Sequence, residues 1–225
     1  MGSTTCGSTG YWLPEPAPPE AMDLRAEPVI ETVVTTLDPG GTPNFGAMGV
    51  VWGADFAVIR PYADTRTFRN LDRLGEAVVN VTDDVLVFAK SALSRATFDC
   101  RAAERVRGVI LGGACHWREV RVVEIRKPPG ERDVAARPDV LAQVVAQGVA
   151  RPFVGLCRAK HAVVEASILA SRLRLRPAPP APDVLAEIDK LDVLVAKTGG
   201  PGEREAMAFI RAYVRRRRKD GRSAA

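Results

Sequence analysis

The sequence predicts an α+β chain, with an antiparallel β-barrel or sheet first and a helical subdomain second. Three observations carry this. Short β-branched runs bounded by turns fill the first two-thirds, beginning with "VIETVVTT" at 29–36. The last third changes to helical spacing, beginning with "AKHAVVEASILASRLRL". Strand and helix do not alternate throughout, no G-x-G-x-x-G is present, and "TGGPGE" at 198–203 lacks the Lys-Ser or Lys-Thr of a phosphate-binding loop. A doubly wound nucleotide fold is therefore disfavoured.

Residues 1–27 hold "PEPAPPE" and little that is apolar, and read as a disordered leader. The β-rich body spans 28–156. "VIETVVTT" and "PNFGAMGVVW" flank the turn "DPGG" and read as a hairpin. "FAVIRPY" reads as a third strand. A short helix follows over 65–74, with Asp64 or Thr65 to cap it. "EAVVNVT" reads as the fourth strand. "DDVLVFAKSAL" is a helix started by Asp83 or Asp84. "ERVRGVILGG" and "HWREVRVVEIRK" give two more strands. "VLAQVVAQGVARPFV" suits either period and is assigned to strand for its valines.

A helical subdomain spans 157–219. "PAPPAP" at 177–182 stops its first helix. The second places Val184, Ile188, Leu191 and Val195 on one face. Gly199 or Gly200 ends it, Pro201 opens the third, and 220–225 form a tail.

The chain has 225 residues, 46% of them hydrophobic, enough for one sizeable core or a core with a helical appendage. No apolar stretch approaches the roughly 20 residues of a membrane span. The N-terminus has no apolar core of a secretory signal. Cys6, Cys100, Cys115 and Cys157 show no C-x-x-C spacing, so neither a metal site nor a disulfide framework is expected. A reduced, cytoplasmic protein is expected. The net charge is +5, but residues 211–222 alone carry seven basic side chains against Asp220, which leaves the body close to neutral. A basic helix end is a solvated feature before it is a nucleic-acid site, which would spread its charge across the body.

Three stretches offer chemistry. "RPYADTRTFRNL" at 60–71 puts Thr65, Thr67 and Asn70 at the start of a helix, beside Arg60 and Arg66. Free amides at a helix start, hydroxyls and guanidinium groups suit an anion; an ordinary helix cap with exposed arginines has the same composition. "GTPNFGAMGV" at 41–50 crowds Asn44, Gly46, Ala47, Met48 and Gly49 into a strand. Glycine there marks close approach of another body, such as a flat ring system, or else a bulge or barrel corner. "RAKHAVVEA" clusters Arg158, Lys160 and His161 at a helix start, where cations oppose the dipole unless an anion is near; a solvated basic end is the plain alternative. His116 stands alone beside Trp117 and reads as structural or exposed.

These stretches, with "IETVVTT" (30–36), "GEAVVNVTDDVLVFAKSAL" (75–93), "RPFVGLCRAKHAVVEA" (151–166) and "KTGGPGEREA" (197–206), resemble the domain of unknown function 447 family. That family lies within the FMN-binding split-barrel superfamily, which includes flavin reductase-like and pyridoxamine phosphate oxidase-like proteins. The resemblance implies a six-stranded antiparallel split barrel over 28–156 with added C-terminal helices. It implies a homodimer with FMN near the subunit interface. It assigns Thr65, Thr67 and Asn70 to the FMN phosphate, with Arg60 and Arg66 beside them. Asn44, Ala47 and Met48 fall at the edge of the ring system, and Asn80 becomes a further flavin or structural contact. Two departures stand out: Gly46-Ala47 where Ala-Pro often precedes Met-Gly, and Cys157 where Asn is expected.

The function implied is that of an FMN-dependent oxidoreductase acting on a small molecule. An association of the family with tetrahydromethanopterin-using organisms points to pterin-linked one-carbon metabolism. Lys160 and His161 are the candidate proton donors. The other reading is a flavin-binding carrier, sensor or assembly protein without turnover.

Overall fold

In the computed structural model, which describes residues 27–127, 137–155, 157–175 and 178–222, the first hairpin joins β1 (Val29–Leu37) to β2 (Pro43–Trp52). The two pair in register from Val29 opposite Val51 to Leu37 opposite Pro43. Asp38 closes the turn by accepting from the amides of Gly40 (2.9 Å) and Thr42 (2.8 Å). The leader expected over 1–27 lies outside the described residues except for Glu27.

β3 (Phe56–Ile59) ends before Arg60, earlier than "FAVIRPY" suggests, and Pro61 has no amide to extend the ladder. α1 (Arg66–Leu74) is capped by Thr65 and terminated by Gly75, whose φ of 69° lies in the left-handed region that glycine tolerates. β4 (Glu76–Val81) follows directly. α2 (Val85–Leu93) takes Asp84 as its cap, the carboxylate accepting from the amides of Leu86 and Val87. β5 (Cys100–Ala102) and β6 (Val109–Leu111) form a separate two-stranded sheet. β5 was not expected, because three exposed residues carry no alternation to read. β7 (His116–Arg126) and β8 (Asp139–Val149) complete the β-rich part, so the ambiguous run of valines is a strand.

Among the described residues, six strands close a barrel in the order β1-β2-β3-β8-β7-β4, every pairing antiparallel. The six-stranded antiparallel barrel expected from the family resemblance is therefore present. Its interior holds Val34, Val50, Ile59, Val79, Val120 and Val140 from the strands. Phe68 and Leu71 of α1 join the same cluster, so the amphipathic short helix closes the barrel by burying one face in it. Burial of each such side chain contributes about 1.5–3 kcal/mol.

α3 (Arg158–Ser171) runs into a single 3-10 turn, Arg172–Arg174. α4 (Ala181–Thr198) begins inside the proline-rich stretch, with Pro182 in the first turn, where a missing amide costs no hydrogen bond. α5 (Pro201–Arg222) continues past residue 219, into the expected tail. Val184, Ile188 and Val195 are buried as their spacing predicts, and Leu191 is partly buried beside them. Val85, Ala89 and Leu93 of α2 pack into this same helical core. Among the described residues, no helix is long and apolar enough to cross a membrane.

Candidate functional site

The start of α1 meets the ends of β1 and β2 at the closed end of the barrel. Thr65 spends its hydroxyl on the helix, accepting from the Phe68 amide at 3.2 Å and donating to the Tyr62 carbonyl at 2.7 Å. The amides of Arg66 and Thr67 belong to the first turn, where no carbonyl lies one turn behind to receive them. Thr67 and Asn70, each 4% exposed, point inward. Asn44 donates to Thr67 at 3.1 Å and to Thr36 at 3.4 Å; Asn70 donates to Thr36 at 3.0 Å. Four side chains from β1, β2 and α1 thus form one polar knot, in which Thr36 accepts twice.

Gly46 is small because of this knot. A Cβ there would lie 2.6 Å from the Thr67 hydroxyl oxygen. The close approach expected of this strand is real, and the approaching body is α1. Ala47 and Met48 follow on β2, both partly buried; the Met48 carbonyl accepts from the Thr32 hydroxyl at 2.9 Å.

The arginines differ in how firmly they are held. Arg60 pairs with Asp139 at 2.7 Å across β3 and β8. Arg69 donates to the Asp64 carbonyl at 2.8 Å, and Arg73 to that of Leu37 at 2.7 Å. Arg66 makes only a long contact of 3.7 Å with Asp38, and its side chain is about one-third exposed. It is the arginine most free to meet an incoming anion. Among the described residues, no group of three or more metal-ligating side chains is present.

Family models match residues 30–149, as the N-terminal domain of a protein of unknown function (DUF447), and residues 157–212, as a second DUF447 segment. The chain belongs to the DUF447 family. Among solved structures, this DUF447 protein resembles FMN-bound protein MM1853 from Methanosarcina mazei, itself DUF447, at a TM-score of 0.68 and 22% identity, covering 85% of this chain and 100% of that one. Weaker likenesses include nitrilotriacetate monooxygenase component B from Bacillus cereus (TM-score 0.45, 19% identity, 60% of this chain and 79% of that one). Flavoredoxin from Methanosarcina acetivorans is similar at a TM-score of 0.45 and 15% identity, covering 57% of this chain and 72% of that one.

The remaining sequence-derived residues of the DUF447 chain lie elsewhere. Asn80 is fully buried on the outer side of β4. It donates to the carbonyls of Val33 and Val78 and to Thr35, and accepts from the Leu111 amide at 2.9 Å. Of the two roles expected for it, the structural one is what these bonds serve: they tie the β5–β6 sheet to the barrel wall. Lys160 lies 3.5 Å from Asp83, and Arg151 bonds the other oxygen of that carboxylate. His161 is exposed on the first turn of α3, and its amide donates to the Cys157 carbonyl at 3.1 Å. Cys157 caps α3 without a side-chain hydrogen bond, so the departure from Asn removes a cap. Among the described residues, no hydrogen bond or ion pair joins Lys160 or His161 to the knot at α1.

Sequence reasoning missed Thr36, which accepts from both amides of the knot. It also missed Asp83, a buried carboxylate between two cations. The hydrogen bond from Arg151 is the main cause that holds Asp83 down at about 2 from 3.8. Glu31 of β1 shows the opposite shift: burial, with Glu165 of α3 nearby, pushes its carboxyl up. A carboxylate inside a β-branched run is the only signal the sequence offered for Glu31.

Proposed function

We propose that this protein binds FMN and acts, as a homodimer, in oxidation or reduction of a small molecule. The observation that carries the reading is the start of α1: first-turn amides of Arg66 and Thr67, a loosely held Arg66 guanidinium and a helix seated hard against Gly46. These groups suit the phosphate end of a mononucleotide. Thr67 accepts from Asn44 and keeps its own hydroxyl proton to give. Asn70, Asn44 and Thr36 fix the height of the helix over the barrel and so hold the amides in place. Arg60, bound to Asp139, flanks the strand end, while Ala47 and Met48 continue β2 away from the knot towards where a ring system would lie. FMN, when bound, supplies two-electron chemistry, and the chain supplies orientation and electrostatics. The FMN carried by MM1853, a member of the same family, supports this reading.

Arg66→Gln tests it without disturbing the knot. FMN affinity is expected to fall roughly 10-fold, the value of one charge-assisted hydrogen bond, while riboflavin affinity stays level. Fluorescence titration of both ligands reads the difference. Equal weakening of both, or no change for FMN, would remove the phosphate assignment.

Val149 at the end of β8 and Phe153 and Val154 just after it are exposed by 78%, 50% and 83%. A cluster of large apolar side chains in water favours a partner surface, here a second copy. Val154→Asp is expected to turn a dimer into a monomer by light scattering, with the circular dichroism spectrum unchanged.

A flavin-binding module without turnover is the second reading. The commitment of Lys160 to Asp83, and the absence of a proton donor bonded to the knot among the described residues, favour it. A yellow protein that oxidises neither NADH nor NADPH with any acceptor tried would decide for it.

A further inference from the structure

The basic run of α5 is left without a role by the flavin reading. Residues 215–222 hold six basic residues against Asp220, a net of +5, which is the net charge of the whole chain. The remainder is neutral in sum. α5 carries this run beyond the core that supports the helix. Ala206, Met207, Ile210, Tyr213 and Val214 are buried, and Arg215, Arg216 and Arg217 after them are exposed. The helix continues through Arg222, about 12 Å past Val214 along its axis. The matched DUF447 segment ends at residue 212, before the run begins.

These charges are not spent within the fold. Arg211 takes Asp189 and Asp192, the carboxylates that α4 presents to this part of α5. Arg217 donates to the Tyr213 hydroxyl at 3.3 Å. Among the described residues, the side chains of Arg215 and Arg216 have neither an ion pair nor a hydrogen bond. Like charges recur at 211, 215 and 219, a spacing that opposes helix formation. The helix dipole favours cations in the last turn only, so it does not account for Arg215 and Arg216.

The pattern of charge selects the partner. Residues 215–219 are all basic, and five consecutive positions pass more than once round a helix of 3.6 residues per turn. A helix that lies on a membrane is charged on one face and apolar on the other. A helix that is basic on every face matches a groove with phosphates on both walls. The major groove of B-form DNA, about 12 Å wide, admits an α-helix. Five of the six basic residues are arginine, whose planar fork pairs two-pronged with phosphate oxygens.

We propose that the end of α5, from Arg215 onward, docks in the major groove of duplex DNA and holds its phosphate backbone without reading sequence. One charged helix end on a neutral body makes a weak, salt-sensitive tether, not the spread footprint of a dedicated nucleic-acid domain. This surface is separate from the start of α1, and it stands or falls independently of flavin binding.

The test uses the full chain and a fluorescein-labelled 20-base-pair DNA duplex of mixed sequence, read by anisotropy. Binding is expected at 50 mM salt, falling with a log–log salt slope of about −4, and alike for a second duplex of unrelated sequence. The double variant Arg215→Gln, Arg216→Gln should bind at least about 10-fold more weakly at 50 mM salt and lower the slope by about 2, with FMN affinity as it was. Both residues are exposed and glutamine suits a helix, so the fold survives, and a thermal melt records that. Absence of duplex binding at 50 mM salt overturns the proposal. So does a slope that the double variant leaves unchanged. Binding to vesicles of anionic phospholipid, or to duplex RNA, that exceeds binding to DNA would assign the run to another partner and overturn it equally.

Discussion

Asp83→Ala is expected to lower the unfolding free energy by about 2–4 kcal/mol, read as a fall in the urea midpoint. Asp83 is 8% exposed and lies between Arg151 and Lys160, so its removal strands two cations at the seam between barrel and helices. The loss falls short of that for a wholly buried pair. Arg151 keeps its bonds to the Gly113 carbonyl at 2.9 and 3.1 Å, and about one-third of its side chain reaches water. Lys160→Ala should cost less, because that pair is longer. The pH dependence follows from the depressed carboxyl. Its folded value of about 2 lies below its ordinary 3.8, so the native state binds fewer protons there than the unfolded chain does. The stabilisation is complete above 3.8 and is lost as pH falls through about 2. Wild type should therefore lose stability across that window faster than Asp83→Asn. Parallel acid-unfolding curves for the two would show that Asp83 is no latch.

Gly46→Ala is expected to cost about 1–3 kcal/mol and to abolish FMN retention. The new methyl would lie 2.6 Å from the Thr67 oxygen and 3.1 Å from the end of Met48. Met48 can swing aside; Thr67 cannot, since it is held by Asn44 inside the barrel end. The helix must lift, carrying the amides of Arg66 and Thr67 with it. Thr67→Ala alone removes one hydrogen bond, worth about 1 kcal/mol. Combined with Gly46→Ala it also removes the clashing oxygen, leaving the Thr67 Cβ at 3.8 Å, an ordinary contact. The double variant should therefore be more stable than the sum of the singles by at least ~1 kcal/mol. Additive losses in a urea double-mutant cycle would place the crowding elsewhere.

The sequence carried the barrel strands well, because Val33, Val34, Val50, Val51 and Val78, Val79 sit in β-branched runs bounded by turn residues. It carried the caps too: Thr65 and Asp84 are in place, and Gly199 follows α4. The start of α1 was legible as a group of donors. What was illegible was how those donors are spent. Thr36 and Asn70 are 34 residues apart, and Asn44 and Thr67 are 23 apart. A pairing at that range depends on strand register, which composition does not encode. Gly46 shows the same gap. Its smallness was visible, but whether a ring or a helix lies against it was settled only by the position of Thr67. The Asp83 latch was hidden because Arg151 and Lys160 come from separate segments well down the chain.

Helix α2 gives a different lesson. It lies between β4 and β5 in the chain, yet Val85, Ala89 and Leu93 are buried against residues of the C-terminal helices, from Ala159 of α3 onward. A gene split at the loop after β8 would leave the first fragment with a bare oily stripe and the second without its keystone. Co-expressed fragments should assemble where either alone precipitates, and a change of C-terminal helices during evolution would have to be matched on α2.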